Sequence, residues 1–250
     1  MSLPPTSPVG DAVILAAGNG DRFKHSPHRS KLLHPVLGRP LILRTLETAA
    51  LAGVTRCVVV IGFEGERLRD LVERNAPPGV AVSFVRNPDW HLENGVSALA
   101  ARLATGQRRF ALLMGDHLFD AAALRRLLQH PVSDDDSLLA IDRGITDPVT
   151  IAEATRVRLD GDRIIAIGKG LDPWDAIDTG LFLFSPRIFD ALDEAVAAGE
   201  TTLSAGVARL AAERSMRGID IGGAGWCDVD TADDLTTAES LFGAVVAEPA

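Results

Sequence analysis

Uninterrupted apolar runs alternate along the chain with stretches whose apolar residues recur every three or four positions. Residues 12–17 (AVILAA) read as a buried strand, followed by a helix over 40–52 with proline in its first turn. The same alternation predicts strands over 57–61, 80–85, 110–114 and 137–141. Helices are expected over 65–74, 97–103 and 121–129. Strands that are apolar on both faces, spaced by helices, indicate an α/β fold. Its core is a mainly parallel, Rossmann-like central sheet flanked by helices. Ligands of such sheets bind at the carboxyl ends of the strands.

The second half is patterned differently. Residues 155–159 and 163–167 flank Asp160-Gly161-Asp162, a hairpin signal. A strand over 181–184, helices over 187–197 and 203–213, a strand over 217–221 and a closing helix over 232–246 follow. This predicts a smaller, mixed second lobe. No linker or composition break separates the halves, so one domain of two lobes is expected, about 10–145 and about 146–250.

Composition removes several function classes. The 250 residues are 46% hydrophobic, enough for one large core. The net charge of -9 and the absence of Tyr argue against nucleic acid as a partner. No apolar run approaches the length of a membrane span and no signal peptide is visible, so a cytoplasmic protein without direct membrane insertion is expected. Cys57 and Cys227 have no metal spacing and read as buried apolar side chains in a reducing compartment.

Local charge points the other way. Between positions 22 and 46 there is no acid, while Arg22, Lys24, Arg29, Lys31, Arg39 and Arg44 supply six fixed positive charges. Such a stretch in an acidic chain suits a small polyanion. It lies beside Gly18-Asn19-Gly20-Asp21-Arg22, directly after the first strand. Glycines there let backbone N–H groups approach phosphates. Neither a Walker P-loop nor a Rossmann fingerprint is present. Arg22 and Lys31 offer a fork and a point charge for phosphate oxygens.

Carboxylates occur where a metal ion would be useful. The fourth strand ends in Met114-Gly115-Asp116-His117, which puts Asp116 at the carboxyl edge of the sheet. Beside bound phosphates such a carboxylate commonly holds magnesium. His117 is read either as a ligand contact or as a structural histidine. In Cys227-Asp228-Val229-Asp230-Thr231, extended backbone would put both acids on one face, where they could complete the metal site. Thr231 with Asp234 also resembles a helix N-cap with an acidic partner.

These residues carry a resemblance. LAAGNGDRF, then Lys31, then LGRPLI, resembles the opening signature of the sugar-phosphate nucleotidyltransferase superfamily, with Leu32 in place of the usual proline after the lysine. Asn87-Pro-Asp-Trp90, Asn94-Gly95-Val-Ser97, MGDHLF, IGKGLDPWDAIDTGLF and GWCDVDTADDL narrow it. Together they are similar to CTP:inositol-1-phosphate cytidylyltransferases over nearly the whole chain. The resemblance implies a nucleotide-binding first lobe and an acceptor-binding second lobe. Leu15, Ala16, Ala17, Gly18, Asn19, Gly20 and Gly115 would surround the nucleotide, and Asn94, Gly95 and Ser97 its cytosine and ribose. Arg22 and Lys31 would be catalytic. Asp116, Asp228 and Asp230 would hold Mg2+, and Lys169, Trp174, Asp178 and Thr179 would face the acceptor.

The implied reaction joins CTP and 1L-myo-inositol 1-phosphate into CDP-inositol and diphosphate. Choline phosphate or a sugar 1-phosphate as acceptor, and UTP or GTP as donor, are same-class alternatives. A glycosyltransferase using Asp228-Val229-Asp230 is a different class, and a catalytically dead nucleotide-binding lobe is a third. In archaeal relatives this domain is often fused to a membrane CDP-alcohol phosphotransferase, so a separate enzyme of that kind is the expected consumer of the product. The residues leave the oligomeric state, a homodimer included, open.

Overall fold

The computed structural model describes residues 9–20 and 30–243. Strand β1 (Asp11–Ala16) leads to a single 3-10 turn at Lys31–Leu33 and a short ribbon of β2 (Pro35–Val36) and β3 (Arg39–Pro40). Then follow α1 (Leu41–Ala52), β4 (Arg56–Ile61), α2 (Gly65–Asn75), β5 (Ala81–Arg86), α3 (Asn94–Ala100), α4 (Arg102–Thr105) and β6 (Phe110–Met114). The middle holds β7 (His117–Phe119), α5 (Ala121–Gln129), β8 (Ser137–Asp142), α6 (Pro148–Glu153), β9 (Arg156–Asp160) and β10 (Arg163–Gly168). The chain continues through β11 (Ala176–Phe184), α7 (Arg187–Ala197), α8 (Leu203–Ala212), β12 (Met216–Asp220), β13 (Trp226–Asp228) and α9 (Ala232–Phe242).

Nine strands form one mixed sheet in the order β5-β4-β1-β6-β11-β8-β12-β10-β9. The first four are mutually parallel, as the alternation of apolar runs and helices demands. The join is not what sequence order suggests. Strand β11 inserts antiparallel between β6 and β8, and β9 returns to pair with β11 as well as β10. The expected hairpin about Gly161 is present, with Gly161 at φ +65°.

Strand β1 shows why its run had to be apolar throughout. Ala12, Ile14 and Ala16 enter the core under α1, α2 and α5, while Val13, Leu15 and Ala17 enter the core under α3, α7 and α8. Each fully buried side chain of the size of Ile14 contributes about 2 kcal/mol. Cys57 and Cys227 are buried and free. No described helix is long and apolar enough to cross a membrane.

Several elements depart from what the pattern predicts. Strand β11 starts at Ala176, five residues before the expected 181. The expected helix over 97–103 is two pieces, α3 and α4. Strands β7 and β13, three residues each, pair antiparallel outside the main sheet and place Asp228 opposite His117. Runs this short carry no readable period.

Candidate active site

Strand β1 ends at the centre of the parallel half, and the turn after it borders a cavity of about 290 Å³. Leu15, Ala16, Gly18, Asn19 and Gly20 form one wall, and Lys31, Leu32, Asp116 and Asp230 the other. Gly20 is required twice over. Its φ of +65° suits glycine, and a Cβ there would lie 2.8 Å from the Cβ of Lys31. The Gly115 N–H donates to the Leu15 carbonyl at 2.9 Å, and a Cβ on Gly115 would meet that oxygen at 2.8 Å. This close approach ties the end of β6 to β1 and sets where Asp116 emerges.

Lys31 is the hub. Its ammonium donates to Asp230 Oδ1 and lies 2.8 Å from Asp116 Oδ2. Only 7% of its side chain is exposed. Burial opposes the charge, but Asp116, Asp228 and Asp230 outweigh burial and hold Lys31 protonated beyond the usual lysine range. For Asp116 too, burial works against ionisation, and Lys31 and His117 overcome it, so its carboxylate stays ionised well below the ordinary range. A polyphosphate entering this cavity would meet a fixed cation flanked by carboxylates.

His117, left open by the sequence, belongs to this cluster. Its Nδ1 is 2.9 Å from Asp116 Oδ1 and 3.6 Å from Asp228 Oδ1. Burial lowers its pKa, but Asp228 and Asp116 prevail and raise it to about 9. Asp228 is pushed up to about 7 by burial, with Asp116 and Asp230 adding repulsion and His117 and Lys31 opposing.

Asp116, His117 and Asp228 each offer a ligand atom within 4.8 Å of the others, a set that could hold a metal ion. Asp228 Oδ1 is buried and has no hydrogen-bond partner, so it remains open to a cation. The two carboxylates make the set suitable for a hard divalent ion that prefers oxygen. Asp230 is engaged by Lys31, and its backbone N–H is capped by Asp234. Thr231 and Asp234 form the capping box expected from the sequence. Strand β13 ends at Asp228, and Asp230 lies just beyond it.

The remaining expected residues fall in three groups. Arg22 lies outside the described residues. Ala17 is buried beside the cavity, and its carbonyl accepts from the Phe63 N–H at 2.9 Å. Asn94, Gly95 and Ser97, expected near the base and ribose, sit where α3 meets the start of α8. Asn94 Oδ1 accepts from the Leu203 N–H, the Gly95 N–H donates to Thr201, and Ser97 Oγ accepts from Asn87. A Cβ on Gly95 would lie 2.6 Å from the Thr201 carbonyl oxygen, so this glycine lets α3 meet the start of α8.

In the second lobe, Lys169 is exposed in the turn after β10 and Trp174 is half-buried, with the Arg156 guanidinium 5.8 Å from its ring. Thr179, also expected to face the acceptor, lies in β11. It is 1% exposed and its hydroxyl donates to the Ala140 carbonyl at 2.8 Å, so the side chain braces β11 on β8.

Asp178 keeps its interest. Burial raises its pKa to about 6, against the Gly180 N–H and His117, which favour the anion. The folded state therefore binds this proton more tightly than the unfolded chain. That contribution is complete below about pH 4 and is lost as pH rises through about 6. Asp178→Asn is expected to remove it, flattening stability between pH 4 and 7 by on the order of 2 kcal/mol. Urea melts of both proteins across that window test this, and parallel profiles would refute it.

Residues 12–212 match the model of the MobA-like NTP transferase domain. The chain is similar to the bifunctional IPC transferase and DIPP synthase of Rubrobacter xylanophilus, 37% identical over 235 residues, covering 92% of this chain and 51% of that protein. The protein of the same name from Thermococcus kodakarensis is 34% identical, with 92% and 50% covered. The chain thus spans about half the length of these curated relatives. Among solved structures, the inositol-1-phosphate CTP transferase from T. maritima superposes with a TM-score of 0.84 at 22% identity, covering 98% of this chain and 99% of that one. That likeness shows a shared α/β nucleotide-diphospho-sugar transferase fold. With the match running from β1 through α8, and the glycine turn, Lys31 and Asp116 inside it, the chain belongs to the MobA-like NTP transferase domain family.

Proposed function

We propose that the chain is a Mg2+-dependent cytidylyltransferase that converts CTP and 1L-myo-inositol 1-phosphate into CDP-inositol and diphosphate in the cytoplasm. The observation that carries the reading is Lys31, a buried cation held by two carboxylates at the mouth of a glycine turn. The choice of CTP and inositol phosphate is supported by the names of the relatives at 37% and 34% identity.

The turn at Gly18–Gly20 would receive the phosphates on backbone N–H groups. Lys31, with Arg22, would neutralise charge developing on the α-phosphate and the departing diphosphate. Asp116 and Asp228, with Asp230 nearby, would hold Mg2+, which when bound supplies further neutralisation of the triphosphate. Asp178 and the exposed Lys169 would face the acceptor. An oxygen of the acceptor's phosphate forms a bond to the α-phosphorus as the bond to the β-phosphate bridge breaks, and diphosphate leaves. That oxygen is already anionic near neutral pH, since the second pKa of a phosphate monoester is about 6. The residues then need only position the reactants and stabilise charge.

Diphosphate release from CTP, UTP, GTP and ATP against inositol 1-phosphate, choline phosphate, glycerol phosphate and glucose 1-phosphate tests the reading. CTP with inositol 1-phosphate is expected to lead by at least about tenfold, the scale of a binding difference of 1.4 kcal/mol. A clear preference for UTP or GTP would overturn the cytidylyl assignment. No diphosphate from any pair would overturn nucleotidyl transfer itself.

A further inference from the structure

Asp142 is the last residue of β8 and is only 6% exposed. Among the described residues no lysine or arginine forms an ion pair with it. Its two oxygens are instead taken by two N–H groups. Oδ1 accepts from the Gly144 backbone at 2.7 Å, and Oδ2 accepts from the Trp226 indole at 2.9 Å. A buried carboxylate without a cation is costly, and neutral donors compensate it only in part.

What Asp142 holds is the start of β13. Trp226 and Asp228 are two residues apart on that strand and so point to the same face. Strand β13 has three residues and, among the described residues, pairs only with the three-residue β7. A ribbon this short is not rigid by itself. Its geometry must come from anchors at its ends. One is the Val229 N–H on the Asp116 carbonyl at 3.1 Å. The start is held by the Asp120 N–H on the Gly225 carbonyl at 2.9 Å and by the indole of Trp226, a stiff lever with a charge-assisted hydrogen bond to the end of a central strand.

We propose that Asp142 is a positioning residue that acts through Trp226 to hold Asp228 in cation-binding geometry beside Asp116. The proposal rests on the reading of Asp228 as a cation ligand. A partner once removed from a ligand typically affects metal affinity 10–100-fold.

The test is Mn2+ binding to the full chain without nucleotide, followed by electron paramagnetic resonance, together with the steady-state constants for CTP. Trp226→Phe removes the donor and keeps a ring. Asp142→Ala removes the acceptor, and Asp142→Asn keeps one carbonyl oxygen at the same size. Trp226→Phe and Asp142→Ala are expected to weaken Mn2+ binding about tenfold or more and to lower kcat with the KM for CTP within about twofold. Asp142→Asn is expected to recover part of the affinity. A merely structural brace would lower Tm and leave Mn2+ affinity unchanged, and that result overturns the proposal. Should Asp142→Ala fail to fold, Trp226→Phe alone decides. Asp228→Asn is the control. If it binds Mn2+ as the wild type does, the metal reading of Asp228 fails, whereas binding lost there but intact in Trp226→Phe sinks only the brace.

Discussion

Lys31→Ala is expected to reduce cytidylyl transfer by about 10²–10³-fold, the scale of removing one preorganised charge-stabilising donor from a dry site. The ammonium is 7% exposed and lies within reach of two carboxylates, so no other described side chain substitutes for it. Two effects would act together. Asp116 and Asp230 would lose the cation that offsets their burial, and an incoming triphosphate would meet two uncompensated negative charges. Removing one member of a buried ion pair costs about 3 kcal/mol. For a chain of this size the Tm should fall by about 6–12 °C, which leaves a folded protein at assay temperature. Diphosphate release measured below the variant's melting transition separates the two effects. Turnover within tenfold of wild type would remove Lys31 from the catalytic machinery.

Asp116→Asn is expected to cost at least as much activity, with less effect on the fold. The amide is nearly isosteric, Lys31 keeps Asp230, and His117 keeps the neighbouring Asp228. What disappears is one of the carboxylates proposed to hold Mg2+. Turnover should fall about 10³-fold, and the Mg2+ concentration for half-maximal rate should rise about 10-fold or more. A magnesium titration of the variant gives both numbers. An unchanged half-saturation point would show that Asp116 is not a metal ligand, even if the rate fell.

Much of this was legible in the chain itself. The apolar runs located β1, β4, β6 and β8 to within a residue or two, because a strand buried on both faces has no polar positions to blur its ends. Gly20, Lys31 and Asp116 could be singled out because their chemistry is unusual beside an apolar strand. Other features had no local signal. That Asp228 lies within a strand and Asp230 beyond it depends on where a three-residue strand stops. The role of His117 depends on Asp228, more than a hundred positions away. The glycine of the Asn94-Gly95-Val-Ser97 motif also meets the backbone of Thr201 and Thr202, a contact between helices distant in sequence. The strand contact of Thr179 had no local signal either, since a threonine beside a glycine reads the same whether its hydroxyl meets a ligand or a strand carbonyl.

The insertion of β11 between β6 and β8 also dictates an order of events during synthesis. Until Phe184 has been made, β6 has a partner on one side only, and its FALLM segment presents an apolar edge. At about 5–20 residues per second the stretch between them takes several seconds to emerge. Through that interval the parallel half and the strands around β8 have no seam to join them. An unpaired apolar edge is a template for association with other chains. The nascent protein is therefore exposed to aggregation in the middle of its translation, and the strand that closes that window is the one that carries Asp178.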